Sequence, residues 1–449
     1  MNSGITLIEN GIVVSMDSSV GILSNGYVTI EKDTIKYVGK NRNDALKVGK
    51  PDTIIDATKK VVFPGLVNVH NHVYQILLKD ILSDLPYAIW DNKYVFPMAK
   101  YIDKQSMKYA AYIAAAEMLE SGTTTVADTH YFHTTWDSIE GIAEAFKDIG
   151  IRNIMAWGVL DCNAPEYIVR DPDESIKRFL DFRKKWTDSN GLSRVDLAPT
   201  GFGLTTEETL LKTAKLAEEM KLWIHIHASG TQASTENIMW SKLVTEPQYY
   251  AQLGLINSRT VVAHAIWLTK DDITLLAEKG ASVAHNPMSN LNLAFGIAPV
   301  VDMLEKGITV ALGTDGLGSY TQDLFNVIRT ALLIHKLKSG PATITAKKVL
   351  EMATIDGAKA LGLENTIGSI TPGKKADLII LDLEQPNTIP SKNLYPILAN
   401  SINPKNIQTV LVNGRIVVEN KTITTINRKE VYEKTQKIAQ DIWNKCGFT

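Results

Sequence analysis

Cysteine is scarce. The 449 residues hold two, Cys162 and Cys446, too few for a disulfide framework and without a CxxC pair for zinc or redox chemistry. An excess of one charge is equally lacking. Lys and Arg number 47 against 49 Asp and Glu, a formal net charge of −2, so no general field draws in nucleic acid or an anionic membrane. No apolar run approaches the about 18 residues that a membrane-spanning helix needs. Residues 1–10 lack a basic region followed by an apolar stretch, so no secretory signal is expected. What remains is ordinary globular usage, 45% hydrophobic and 21% charged. The expectation is a cytoplasmic protein whose partner is a small molecule, neither nucleic acid nor membrane.

Both ends of the chain read as strands. Short β-rich runs at 5–8, 12–14 and 27–30 are punctuated by Asn10-Gly11 and Asn25-Gly26, and the same texture returns at 376–380 and 410–416. One small β-sandwich domain built from both termini (1–60 and 369–449) is predicted, with a closing helix at 429–445. The intervening residues 61–368 change character. Buried strands are predicted near 61–70, 123–130, 151–159, 195–200, 222–227, 260–264, 281–286 and 308–315. Helical patterns at 107–120, 138–149, 207–220 and 271–279 lie among them. Eight alternating βα units over this length predict a (β/α)8 TIM-like barrel.

Most of the nine histidines fall at predicted strand ends. His70 and His72 close the first strand, His225 and His227 the fifth, His264 the sixth and His285 the seventh. Asp315 closes the eighth. In a barrel these ends form one face, where active sites sit. Side chains at i and i+2 share a side of a strand, so each HxH pair can chelate one ion. Three imidazoles with one carboxylate suit zinc, or iron as the alternative, with a position left for water.

The run Pro64-Gly65-Leu66-Val67-Asn68-Val69-His70-Asn71-His72 resembles the PGxxNxHxH opening of the amidohydrolase superfamily. So do Ala263-His264-Ala265, His285-Asn286-Pro287-Met288-Ser289-Asn290, Gly313-Thr314-Asp315-Gly316 and Pro372-Gly373-Lys374-Lys375-Ala376-Asp377. The resemblance is to the branch holding cytosine, guanine and adenosine-analogue deaminases and the triazine hydrolases, including atrazine chlorohydrolase. It implies that His70, His72, His227 and Asp315 bind one divalent metal ion. It implies too that His264 contacts substrate or the attacking water and that Asp315 moves the proton. A second metal would want a lysine at the fourth strand end, where this chain has Pro199-Thr200-Gly201. Homo-oligomers are common among such relatives.

Three positions depart from that pattern. Gly230 stands where many of these deaminases carry the glutamate of an HxxE motif, leaving Glu236, His130 or Ser229 as candidate substitutes. Ile89 replaces a ribose-binding glutamate before Trp90, and Trp157 replaces an arginine. Trp90, Tyr131, Phe132 and Trp157 could form an aromatic wall against a small flat ligand. His130, His285 and Asn290 complete the candidate substrate contacts. The reading is a metal-dependent hydrolase of a small heterocycle releasing ammonia. The alternatives are displacement of halide, alkylamine or thiol, and a non-catalytic barrel. His133 reads as a surface loop residue, His335 as structural and Cys162 as a packed thiol. The run from Gly368 to Lys375 only half imitates a phosphate loop.

Overall fold

The computed structural model describes residues 4–79, 81 and 84–448. The amino-terminal strands are β1 (Ile5–Val14), β2 (Ile22–Glu31), β3 (Thr34–Gly39), β4 (Thr53–Asp56) and β5 (Lys60–Pro64). Then come β6 (Leu66–Asn71), β7 (Thr123–His130), β8 (Arg152–Val159) and β9 (Ser193–Pro199). They continue as β10 (Ile224–Ala228), β11 (Thr260–His264), β12 (Ser282–His285) and β13 (Val310–Leu312). The carboxy-terminal strands are β14 (Leu378–Asp382), β15 (Ile407–Val412), β16 (Arg415–Glu419) and β17 (Thr422–Ile423).

Strands β6 to β13 pair in parallel in sequence order, as an eight-stranded sheet. An isolated parallel bridge between Asn71 and Asp315 nearly closes it into a barrel. Helices such as Lys104–Glu120, Ser138–Ile149 and Glu207–Met220 cross between consecutive strands. Two of these helices start on a side chain that caps them. Asp103 accepts the Ser106 amide, and Thr206 accepts that of Thr209. The remaining strands form one nine-stranded mixed sheet in which β5 pairs antiparallel with β14, so both termini meet in it. The final helix runs Arg428–Cys446. No helix among the described residues is long and apolar enough to cross a membrane.

The first predicted strand, 61–70, is two strands. Residues up to Pro64 belong to the terminal sheet, and those from Leu66 belong to the barrel. Gly65 is the crossing point. A Cβ there would collide with the Thr124 side chain, so only glycine lets the chain pass this close to β7. Sequence alternation could not separate the two halves, because both are buried throughout and read as one apolar run.

The two sheets are tied by a buried ion pair. Arg152, first residue of β8, sends Nε and Nη2 to the two carboxylate oxygens of Asp377 at 2.8 and 2.9 Å. Asp377 also accepts the Asn413 amide at 2.8 Å. Both side chains are only 1% exposed. Removing one partner would leave the other charge buried and alone. Asp377→Ala is therefore expected to lower unfolding free energy by about 3–5 kcal/mol in urea titrations. The double change Arg152→Met with Asp377→Leu should lose markedly less.

Candidate active site

The carboxyl ends of the barrel strands bring the predicted chemistry together. His70 is the penultimate residue of β6 with His72 just beyond the strand, His227 lies on β10 and His264 closes β11. Ring centroids of His70 lie 4.8 Å from His72 and 4.9 Å from His227. Nε2 of His72 and Nε2 of His227 are 3.2 Å apart. Asp315 Oδ1 lies 3.4 Å from Nε2 of both His70 and His72. Two overlapping donor groups share His70: one with His227 and His264, the other with His72 and Asp315.

Backbone conformation aims these side chains. His264 (φ 75°), Asp315 (φ 59°) and Ser229 (φ 51°) all adopt left-handed φ, costly for residues with a Cβ and concentrated at functional sites. The Asp315 amide donates to the His70 carbonyl at 2.9 Å. Asn71 Nδ2 donates to the Asp315 carbonyl at 2.9 Å, and Asn68 Nδ2 donates to Thr314 Oγ1 at 2.6 Å. The two asparagines of the first motif thus lock the first barrel strand to the segment after the last.

Hydrogen bonds also orient the rings. His72 Nδ1 donates to the Thr129 carbonyl at 2.9 Å, turning its Nε2 lone pair to the cluster. His264 Nδ1 donates to Asn290 Oδ1 at 2.9 Å, leaving Nε2 facing Asp315 Oδ2 at 4.0 Å. Ser289 Oγ donates to that same oxygen at 2.6 Å. Burial pushes His72 down to about 4 and holds His227 well below the usual imidazole range. Burial opposes the Asp315 charge, yet the neighbouring His70, His264 and His72 rings hold its carboxyl well below the ordinary range. Burial thus favours neutral imidazoles at His70, His72 and His227 beside a carboxylate, with ring nitrogens converging on one another. His70 Nε2 is buried with no hydrogen-bond partner among the described residues. Orphaned, converging lone pairs of this kind fit a cation.

A cavity of about 270 Å³ opens onto the cluster, lined in part by His72, His227, His264 and Asp315. Trp90, Tyr131 and Phe132 line it as expected, with Phe202 and Phe295 extending the aromatic wall. Thr200 is there too, at the fourth strand end where no lysine stands.

Other expected contacts lie elsewhere. His130 and Trp157 are register partners on β7 and β8, and both face the outer helices, so neither lines the cavity. His130 Nε2 pairs with Ser138 Oγ at 3.3 Å. The Trp157 indole donates to Ser175 Oγ at 3.1 Å and packs on Phe179 and Phe182. His133 is not a surface loop residue: it is buried and stacks on Trp157 at 4.0 Å. His285 turns away to His335, with 2.9 Å between their Nε2 atoms. Asn290 reaches the site only through His264. His225 sits one layer deeper, 3.7 Å from Asp196. Glu236 is exposed and pairs with Gln232 at 2.8 Å. The Ser229 hydroxyl is buried without a partner among the described residues.

Two carboxyls that sequence reasoning missed line the cavity, Asp91 and Glu246. Burial pushes Asp91 up to about 6, partly offset by a hydrogen bond from Tyr87. Its signal was adjacency to Trp90. Glu246 had none, being far along the chain from every motif. The Asn290–His264 bond carries a direct test. Asn290→Ala should abolish the fixed Nδ1–H of His264 in ¹⁵N-histidine spectra and lower turnover by roughly 10–100-fold with the fold intact.

The amidohydrolase family profile matches residues 61–417. A 5-methylthioadenosine/S-adenosylhomocysteine deaminase of Thermoanaerobacter pseudethanolicus is 33% identical over 438 residues, covering 97% of this chain and 99% of that protein. A 5'-deoxyadenosine deaminase of Methanosarcina acetivorans is 33% identical over 439 residues, covering 97% and 98%. Among solved structures, an adenosine deaminase of Xanthomonas campestris with bound zinc superposes with a TM-score of 0.91 at 27% identity, covering 98% of each chain. With a family match over most of its length and such relatives across nearly the whole of it, the chain belongs to the amidohydrolase family, as a hydrolase acting on carbon–nitrogen bonds.

Proposed function

We propose that the chain is a zinc-dependent aminohydrolase that removes the 6-amino group of a purine nucleoside as ammonia. His70, His72, His227 and Asp315 would hold one ion. The observation that carries this reading is the convergence of three neutral imidazoles and one carboxylate on a cavity, in a chain 33% identical to deaminases of adenosine analogues. A bound zinc ion supplies Lewis acidity that makes water a nucleophile near neutral pH.

The chain's own residues supply the remainder. Asp315 takes the proton of the attacking water and returns it to the departing amine. His264, its Nδ1–H held by Asn290, turns the Nε2 lone pair to the attacking water and orients it by accepting a hydrogen bond. Trp90, Tyr131, Phe132 and Phe295 sandwich a flat ring and exclude water from it.

The missing glutamate before Trp90 is less damaging to a nucleoside reading than the sequence suggests. Ile89 is 43% exposed, whereas Asp91 lines the cavity. No Lys or Arg is among the lining residues, so Asp91 is suited to accept hydrogen bonds from neutral donors such as ribose hydroxyls. The enzyme is further read as cytoplasmic, self-associating and specific for small molecules.

The test is ammonia release from adenosine, 5'-deoxyadenosine and 5-methylthioadenosine by zinc-loaded protein, with guanine, cytosine and chlorotriazines in parallel. Ammonia is expected from the nucleosides. Chloride release alone, or no product, would overturn the reading. Asp315→Asn should lower kcat by roughly 10²–10⁴-fold. Asp91→Asn should raise KM for adenosine by about 10–100-fold, the worth of one hydrogen bond to a charged group. It should barely affect free adenine.

A further inference from the structure

Displacing an amino group from an aromatic ring places an electron pair on the adjacent ring nitrogen as water adds. That nitrogen needs a proton, and the residues so far assigned do not provide one. His72, His227 and Asp315 are committed to the ion and the water, and His264 accepts from the attacking water. Tyr87 and Tyr131 line the cavity, but their hydroxyls are pushed far above the usual phenol range, Tyr87 chiefly by the Asp91 charge and Tyr131 chiefly by burial. They are poor acids near neutrality. Two carboxyls remain, and Asp91 stands with Tyr87 and Trp90 at the wall assigned to the sugar.

We propose that Glu246 is the group that exchanges a proton with the substrate's ring nitrogen, an inference that rests on the aminohydrolase reading above. Glu246 opens the helix Glu246–Gln252. Its Oε2 accepts the Ser229 amide at 2.6 Å, and its Oε1 accepts the Tyr250 hydroxyl at 2.8 Å. The Tyr250 oxygen is itself held by the Phe202 amide at 2.7 Å. The carboxyl is thereby pinned to the turn that follows His227, where the backbone of Ser229 is left-handed. Glu246 is 6% exposed, yet it lines the same cavity as His227, His264 and Gly230.

Gly230 gives this placement its sense. A Cβ there would come within 3.3 Å of the His264 ring. With no side chain at 230, the lining between Glu246 and His264 stays clear for a ring edge. No cation is among the bonded partners of Glu246, and burial pushes its carboxyl upward, which favours its carrying a proton.

The proton balance closes. The carbon–oxygen bond forms as the water's first proton passes to Asp315 and the Glu246 proton passes to the ring nitrogen. Asp315 then protonates the amino nitrogen, and the carbon–nitrogen bond breaks to release ammonia. The remaining hydroxyl proton returns to Glu246 as the ring carbonyl forms. Water and amine are consumed, carbonyl product and ammonia appear, and both carboxyls are restored.

Glu246→Gln keeps an acceptor for Ser229 and a donor toward Tyr250. It should lower kcat for adenosine by roughly 10²–10⁴-fold with zinc content, circular dichroism and KM nearly unchanged. Chloride release from 6-chloropurine riboside, whose ring carbon is electron-poor enough for water to add with less help from a proton on the ring nitrogen, should fall far less. Glu246→Asp, with its acid one methylene short, should lie between, and serves if the glutamine variant does not fold. Near-normal deamination by either variant, or equal loss on both substrates, would overturn the role of Glu246 alone. A wild-type enzyme that releases no ammonia from any purine would instead overturn the parent reading, and this role with it.

Discussion

The structure turns on a crowding of ring nitrogens around a carboxylate that the polypeptide relieves only in part by itself. Neutral imidazoles of His70, His72 and His227 turn ring nitrogens toward one another beside the Asp315 carboxylate, with Nε2 atoms as close as 3.2 Å. Burial resists protonating them, so the hydrogen bond between the Nε2 atoms of His72 and His227 relieves the crowding only in part. Such a cluster persists because the surrounding frame over-determines it. His72 is anchored on Thr129, His264 on Asn290, and Asp315 on Ser289 and the His70 carbonyl. The left-handed backbone at His264 and Asp315 is part of the same cost. A divalent ion is the species that would turn this local crowding into attraction.

Barrel geometry explains why side chains so far apart in sequence can be held this tightly. Parallel strands in sequential order place all their carboxyl ends on one rim. Alternation along each strand then divides residues into those facing the interior and those facing the helices. His227 and His225 share the interior side at different depths, while His130 and Trp157 share the helix side. The nine-stranded sheet stays outside this chemistry. Its bond to the barrel runs through Arg152 and Asp377, at the amino end of β8, well removed along the strand from the rim that carries the site.

The HxH at 70–72, the histidines at 227 and 264 and the aspartate at 315 were legible because each closes a run of strand-like residues. A strand end in a βα repeat has one destination. The asparagines 68 and 71 were visible as motif letters, but their work in stapling the barrel closed emerged only from their bonds to Thr314 and Asp315. His133 was misread because the chain after β7 folds back beneath Trp157 instead of running over the surface. Glu246 and Asp91 were missed because nothing in their neighbouring letters marks them as facing a cavity.

Local order along the chain therefore settled the alternation of strands and helices, the rim that carries the chemistry and the donor types gathered there, since these depend on period and spacing alone. The three-dimensional packing settled which side of each strand a borderline residue takes. It also divided the first apolar run at Gly65 between two sheets, and it brought a carboxyl from a distant helix into the place that Gly230 leaves bare. Those outcomes depend on contacts between segments far apart in the chain, and no local pattern encodes them.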